Sequence, residues 1–470
     1  MIKVDGFKKI ILAATCLFLL ARPTIVVAEG DQEKKSDAPV AVASVVVEPF
    51  AFADFTWLNG NSRQKTSVLD SKYFTGTFLA DINYIQDFNQ PKDHTLTGST
   101  SAGRTNEVQI QHLGIGGDFH ADNARGRLMT QFGLYSTMTP RNDSSPSRGQ
   151  WNLGEAYKYI SEAYGGYHWN ALNGVNLDAG IFMSYVGLFS YYNAENWAYQ
   201  ASYMSANTPW FFNGLRLQVF PTDKFKLELW LINGWQAYGM FNESPGVGFQ
   251  VLYRPNGDWS WVSNGYTGYD TLVNTQRQRF HSDSSVQFKY LDTPTHFLSK
   301  AAFSITADVG CETGGGVKCT GGDAVTPSQY FLGVMAYNRM WFAQDKYAIT
   351  VGGGFVNNPG RYLVLVPPVQ TGTPGVTGGS NQTTGSAPSF TQNAGDEFRA
   401  WDATLTFDYM PDQYVTFRSE INHRESNVPY FSGPGGITSK DGLNTTPVAG
   451  FSPDLVKKED RLNFAMMVRF

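Results

Sequence analysis

No segment of the 470-residue chain is long and apolar enough to cross a bilayer as a helix. The longest apolar run, Ile10 to Ala21, is about a dozen residues, where a helical span takes about 20, and Arg22 and Pro23 end it. With a mean hydropathy of -0.28 for the whole chain, a helical membrane protein is excluded. Charge is scarce too: Asp, Glu, Lys and Arg make up 16% of the residues, which leaves little for the polar faces of amphipathic helices. The net charge of -5 argues against nucleic acid as a partner. Cysteines number three. Cys16 lies inside the apolar run behind Ala14 and Thr15, a poor lipoprotein cleavage box. Cys311 and Cys319 remain, and in an exported chain this even count predicts one disulfide closing a short loop. Two thiols lack the third and fourth ligands of a zinc site, and the seven histidines are scattered, so neither a metal nor any other cofactor is expected.

The amino terminus carries Lys3, Lys8 and Lys9, then the apolar run, then the small residues Val26, Val27 and Ala28. That layout predicts a signal peptide over residues 1–28, cleaved after Ala28. The 48 glycines and the 14% aromatic content suit strands and turns.

Period-two alternation dominates the rest of the chain. At the carboxyl end Leu462, Phe464, Met466, Val468 and Phe470 alternate with Arg461, Asn463, Ala465, Met467 and Arg469, placing the two sets on opposite faces of a strand. The pattern returns at Trp401, Ala403, Leu405, Phe407 and Tyr409 against Asp402, Thr404, Thr406 and Asp408, and at Ala301 to Val309, Val175 to Met183 and Phe74 to Tyr84. Each run is about ten residues, the length a tilted strand needs to cross a bilayer. Short turns such as Pro221-Thr222-Asp223, Pro255-Asn256-Gly257-Asp258 and Pro411-Asp412-Gln413 separate pairs of runs, and long loops such as Asn357 to Asp396 and Glu425 to Glu459 lie between the pairs.

About seven hairpins plus a first and a last strand give about 16 strands, an even number. The expected fold is therefore all-β: a transmembrane antiparallel barrel over residues 73–470, with short periplasmic turns and long extracellular loops. Residues 29–72 are expected to form a periplasmic leader, linker or partial plug. A soluble barrel of this strand number would have a lumen too wide for side chains to fill.

Several segments add a likeness. The stretches Gly180-Ile181-Phe182-Met183-Ser184-Tyr185-Val186-Gly187-Leu188, Tyr191-Tyr192-Asn193, Asn196-Trp197 and Asn207-Thr208-Pro209-Trp210-Phe211-Phe212-Asn213-Gly214-Leu215-Arg216 resemble the OmpL-like β-barrel porin family. So do Asn233-Gly234-Trp235, Asn357-Asn358-Pro359-Gly360-Arg361-Tyr362 and Asn427-Val428-Pro429-Tyr430. The resemblance implies a barrel and a porin role, brings no catalytic constellation, and says little about the solute.

Enzymatic barrels need a nucleophile with a base and an orienter. The nearest cluster, Asn422-His423-Arg424-Glu425-Ser426, falls where a strand gives way to a loop and reads as ordinary strand-end residues. Gly352-Gly353-Gly354 and Gly114-Ile115-Gly116-Gly117 lack the following helix and Lys-Ser/Thr pair of a phosphate loop. No enzymatic activity is expected. The inward face is expected to collect Arg127, Lys158, Glu162, Arg216, Lys226, Glu228, Arg254, Lys289, Asp308, Arg339, Asp402, Asp408, Arg418, Glu420, Arg461 and Arg469 as pore-lining residues. Their signs are mixed, so selectivity stays open.

A constriction is expected from the apolar Tyr362, Leu363, Val364 and Leu365 in a long loop. Phe464, Met466, Val468 and Phe470 are expected to be read by the barrel-assembly machinery. The expected location is the outer membrane of a Gram-negative type bacterium, with outer-membrane lipid and small hydrophilic solutes as partners and the oligomeric state open. Passive diffusion of those solutes is the expected function, with a non-conducting structural or adhesive barrel as the alternative. An energy-coupled transporter does not fit, because the 44 residues from Glu29 to Lys72 are too few for its plug domain.

Overall fold

The computed structural model describes residues 48–141, 143, 151–240, 242–270, 274–359, 397–445, 448 and 450–470. The expected signal peptide, the leader up to residue 47, and Tyr362, Leu363, Val364 and Leu365 lie outside the described residues. The strands in chain order are β1 (Phe74–Asp87), β2 (Val108–Ala121), β3 (Ala124–Thr130), β4 (Ile160–Trp169), β5 (Val175–Met183), β6 (Phe211–Thr222), β7 (Phe225–Ile232), β8 (Gly246–Tyr253) and β9 (Trp259–Gly268). They continue with β10 (Gln278–Asp292), β11 (Leu298–Thr313), β12 (Tyr330–Phe342), β13 (Tyr347–Asn357), β14 (Arg399–Tyr409), β15 (Val415–Ser426), β16 (Phe431–Ser432), β17 (Leu455–Val456) and β18 (Lys458–Arg469). The two-residue strands β16 and β17 pair with each other, and the other 16 close into one barrel in which β1 neighbours both β2 and β18.

Every barrel pairing is antiparallel, so the seven short turns and both ends of the described chain fall at one rim. The seven expected hairpin turns sit where the sequence puts them. Closure removes the open edges that would leave backbone groups unpaired in lipid. At the seam Leu79 faces Arg469 and Asp87 faces Arg461. Beyond β18 itself, Phe470 donates its N–H to Phe78 O at 2.9 Å and accepts from Phe78 N at 3.1 Å, completing the ladder.

The alternation determines which face meets which solvent. In β14, Trp401, Leu405 and Phe407 are 43%, 48% and 44% exposed, whereas Asp402, Thr406 and Asp408 on the opposite face are 5%, 0% and 0% exposed. Apolar outside and polar inside is the reverse of a water-soluble β-protein and fits a barrel whose outer surface meets hydrocarbon. Tyr347, Tyr409 and Phe417 stack in a row near the short-turn rim, with neighbouring centroids 5.4 and 6.0 Å apart, as an interfacial aromatic girdle does.

A lumen 16 strands round cannot be filled by wall side chains. Here the chain itself enters it. The β5–β6 connection, residues 184–210, folds inward with a 3-10 turn at Asn193–Glu195 and a short helix at Tyr203–Ala206, and nearly all of it is buried. Residues 48–72 thread in from the short-turn rim, burying Phe55, Trp57 and Leu58. These segments share one apolar cluster with wall residues such as Tyr337, Trp341 and Met410.

Candidate functional site: the occupied lumen

A backbone that crosses a barrel interior leaves its ladder partners behind, and each N–H and C=O it carries needs a new one. The wall charges supply them. Glu420 accepts from Tyr199 N at 2.6 Å and Gln200 N at 2.9 Å. Asp402 accepts from Ser202 Oγ at 2.7 Å and Tyr203 N at 2.8 Å, satisfying the start of the short helix. Arg418 donates to Asn196 O at 2.7 Å and Arg339 to Trp197 O at 3.1 Å. Asp81 accepts from Asn193 Nδ2 at 2.8 Å and Tyr199 OH at 3.0 Å. The segment leaves β5 and returns on β6, yet its anchors stand on β1, β12, β14 and β15, across the barrel. Asp408 ties two of these anchors together, 2.7 Å from Arg418 Nε and 2.7 Å from Arg339 Nη2.

Residues 55–64 form a second inward layer against the first, whereas 65–72 are exposed. Trp197 donates its backbone N–H to Asn59 Oδ1 at 2.7 Å and its indole N–H to Trp57 O at 3.0 Å. Asn59 N reaches Gln287 on β10 at 2.8 Å, and Trp57 Nε1 donates to Gly257 O in the β8–β9 turn at 3.0 Å. Arg63 donates to Asp412 O at 2.6 Å and Thr416 Oγ1 at 3.2 Å on the far side. The segment thereby spans the short-turn rim. Gly60 sits at φ 80° where a Cβ would collide with the Leu188 carbonyl, so the two layers meet at a position only glycine fills without strain.

Among the described residues, cavities beside these layers include three that share border residues. One of about 300 Å³ lies between residues 184–191 and the wall residues Lys226, Gln250, Arg254, Ser260 and Gln287. It shares Asn61 with a neck of about 30 Å³ bordered by Arg63, Glu195, Arg339, Asp408 and Arg418. The neck in turn shares Arg63 and Trp341 with a cavity of about 420 Å³ that includes Lys65, Lys300 and the β12–β13 and β14–β15 turns. A separate concavity of about 770 Å³ is lined by outward residues such as Leu229, Phe249, Val309 and Leu332 and belongs to the lipid-facing wall. Burial and nearby Arg339 lower the Arg63 guanidinium to about 10, and burial lowers that of Arg254 to about 10, so both stay cationic at neutral pH.

Fifteen of the sixteen expected lining residues carry their side chains on the inward face, but most are engaged in pairs. Arg127 meets Glu162 at 2.9 Å, Arg216 meets Asp178 at 2.8 Å, Lys226 meets Glu228 at 2.6 Å, Lys289 meets Asp258 at 3.1 Å, Asp308 meets His281 at 2.7 Å and Arg461 meets Glu459 at 3.0 Å. Arg469 bonds Glu195 of the inward segment. Lys158 is the exception. It follows a short helix, Leu153–Tyr157, and pairs with Glu155 at 2.7 Å, off the strand. Asn152 caps that helix by accepting from Glu155 N, which interrupts the alternation that Tyr157 and Tyr159 suggest.

Cys311 and Cys319 are bonded, with Cα atoms 5.0 Å apart. Cys311 lies within β11, so the bridge closes the short loop of residues 312–318, as expected, and fastens it to the strand end. The sequence points to a constriction at residues 362–365, whereas the segment that fills the described lumen is 184–210. The signal for that segment is compositional: Phe189, Tyr191, Tyr192, Trp197, Tyr199, Tyr203 and Trp210 crowd a connection that carries only one charge, Glu195.

The closed antiparallel barrel, apolar outside and polar inside, has the architecture of an outer-membrane β-barrel. Residues 74–451 match the family described as "Putative beta-barrel porin-2, OmpL-like", and the chain belongs to that family. Solved structures with a similar fold include an anion-selective porin from Comamonas acidovorans, at 8% identity, TM-score 0.49, covering 84% of this chain and 99% of that one. Another is the outer membrane channel DcaP of Acinetobacter baumannii, at 12% identity, TM-score 0.45, covering 88% and 100%. A third is OmpT, an outer membrane protein of Vibrio cholerae, at 9% identity, TM-score 0.46, covering 86% and 100%. No curated protein sequence matches the chain.

Proposed function

We propose that this protein is a porin through which small hydrophilic solutes diffuse passively, with its short turns in the periplasm. What supports this reading is a set of cavities beside the inward segments, each sharing border residues with the next and bordered by charged and amide side chains on the short-turn side of the barrel. The neck, at about 30 Å³ the smallest of these spaces, argues for the smallest solutes. That same neck favours a second reading, a barrel that does not conduct. Purified full chain reconstituted in planar bilayers is expected to give discrete conductance steps. Barrels that insert, as judged by protease protection, yet stay silent would decide for the second reading.

Assembly through the carboxyl-terminal strand belongs to this proposal. Phe470 exchanges two backbone hydrogen bonds with Phe78 and packs against it at 6.0 Å and against Tyr414 at 5.6 Å. A carboxylate there would face lipid at the seam. Phe470→Asp is expected to be exported normally but to accumulate in the outer membrane several-fold below wild type, measured by fractionation. Equal accumulation would count against the terminal signal.

A further inference from the structure

Charge inside the barrel is not distributed like charge on the chain. The chain as a whole is at -5, but the residues bordering the three successive cavities include eight basic against four acidic ones. The cavity of about 300 Å³ has Lys226 and Arg254 on its border and no carboxylate at all.

Most of these cations already have a counter-charge. Arg339 and Arg418 share Asp408, Lys226 holds Glu228, Lys65 holds Asp54 at 3.1 Å, and Lys300 holds Asp345. Two do not. The hydrogen bonds of Arg63 end on neutral acceptors, the carbonyls of Asp412 and Val415 and the hydroxyl of Thr416. Arg254 has only a 3.4 Å bond from Nε to Ser260 Oγ, and its guanidinium lies over the Phe55 ring at 4.5 Å. Among the described residues neither has a carboxylate within 4.0 Å. Both lie towards the short-turn rim: Arg254, directly after β8, borders the cavity of about 300 Å³, and Arg63, bonded to the β14–β15 turn, borders those of about 30 and 420 Å³. A half-buried guanidinium without a protein anion attracts a diffusible one, because the surrounding protein lowers the local dielectric and weakens screening. An aromatic face beside it supports the cation and offers no competing anion.

We infer that this lumen passes small anions, inorganic or carboxylate, in preference to cations, and that Arg254 and Arg63 set the preference. The inference rests on the porin reading above. It names a sign that the mixed charges of the strand sequence leave undecided, because pairing across the wall cancels most of them and leaves these two.

Reversal potentials of the full chain in planar bilayers under a KCl gradient test it. The expected sign is that of chloride permeating faster than potassium, with a several-fold permeability ratio. Arg254→Gln and Arg63→Gln should each lower that ratio and together bring it near unity. Arg254→Lys should retain most of it, which separates charge from the shape of the guanidinium. A conducting barrel with a potassium preference or with none overturns the anion inference and leaves the porin reading standing. So does a chloride preference that survives both Gln substitutions in barrels whose heat-modifiable gel mobility matches wild type. A silent barrel overturns the porin reading, and this inference with it.

Discussion

A barrel lacking residues 48–66 is expected to conduct several-fold more current per channel than the full chain. Those residues contribute Asn61 and Arg63 to the neck, and Trp57 and Asn59 to the hydrogen bonds that hold Trp197 in place. Their removal takes away Thr56 and Arg63, which border both the small neck and the cavity of about 420 Å³, and is expected to widen both and free one face of the inward β5–β6 segment. The strands are not involved, because β1 starts at Phe74, so the variant should insert and show the heat-modifiable mobility of a closed barrel. Trp57→Ala combined with Asn59→Ala is a milder version. It should give noisier current with an intermediate mean, since the segment stays but loses its hold on Trp197. Unchanged conductance in both variants would show that solutes take another path.

Asp408→Ala is expected to lower stability by about 3–5 kcal/mol, the range found when one partner of a buried ion pair is removed. Asp408 is fully buried between Arg339 and Arg418, and without it two guanidinium groups face each other with no carboxylate between them. The same arginines hold Trp197 O and Asn196 O, so the damage reaches the inward segment. Thermal unfolding in detergent should show a lower transition, and protease should gain access to residues 184–210. Combining Asp408→Ala with Arg339→Met removes one of the uncompensated charges and should recover part of the loss. A double variant no more stable than Asp408→Ala would show that charge repulsion is not the cause.

The barrel wall is legible in the sequence because a strand writes its two environments at alternate positions. Trp401 and Asp402 are neighbours in the chain and opposites in solvent, and the same contrast recurs along most strands. The turns are legible because Pro, Asn, Gly and Asp cluster where two runs meet. The lumen is not. Whether a long connection folds in or out depends on partners far away in the chain: Tyr199 finds its carboxylate 221 positions later, at Glu420. Lys158 is misplaced by periodicity because a helix cap at Asn152 is a local signal weaker than the tyrosine alternation beside it. The mixture of acidic and basic residues on the wall conceals which of them are already paired. Only geometry shows that Arg63 and Arg254 are left over.

The anchors of the inward β5–β6 segment carry a consequence for when the protein can become stable. Residues 184–210 leave the synthesising machinery long before Asp402, Asp408, Arg418 and Glu420, so until those four arrive the backbone groups of the segment can be satisfied only by water and it cannot be buried. A half-made sheet of the first strands cannot mature alone, because its central filling requires strands from the other end of the chain. Contacts of such separation slow folding and make it all-or-none. On the proposed outer-membrane location, the barrel is expected to stay unfolded until it reaches the membrane and to complete its interior in one cooperative step as β18 arrives beside β1.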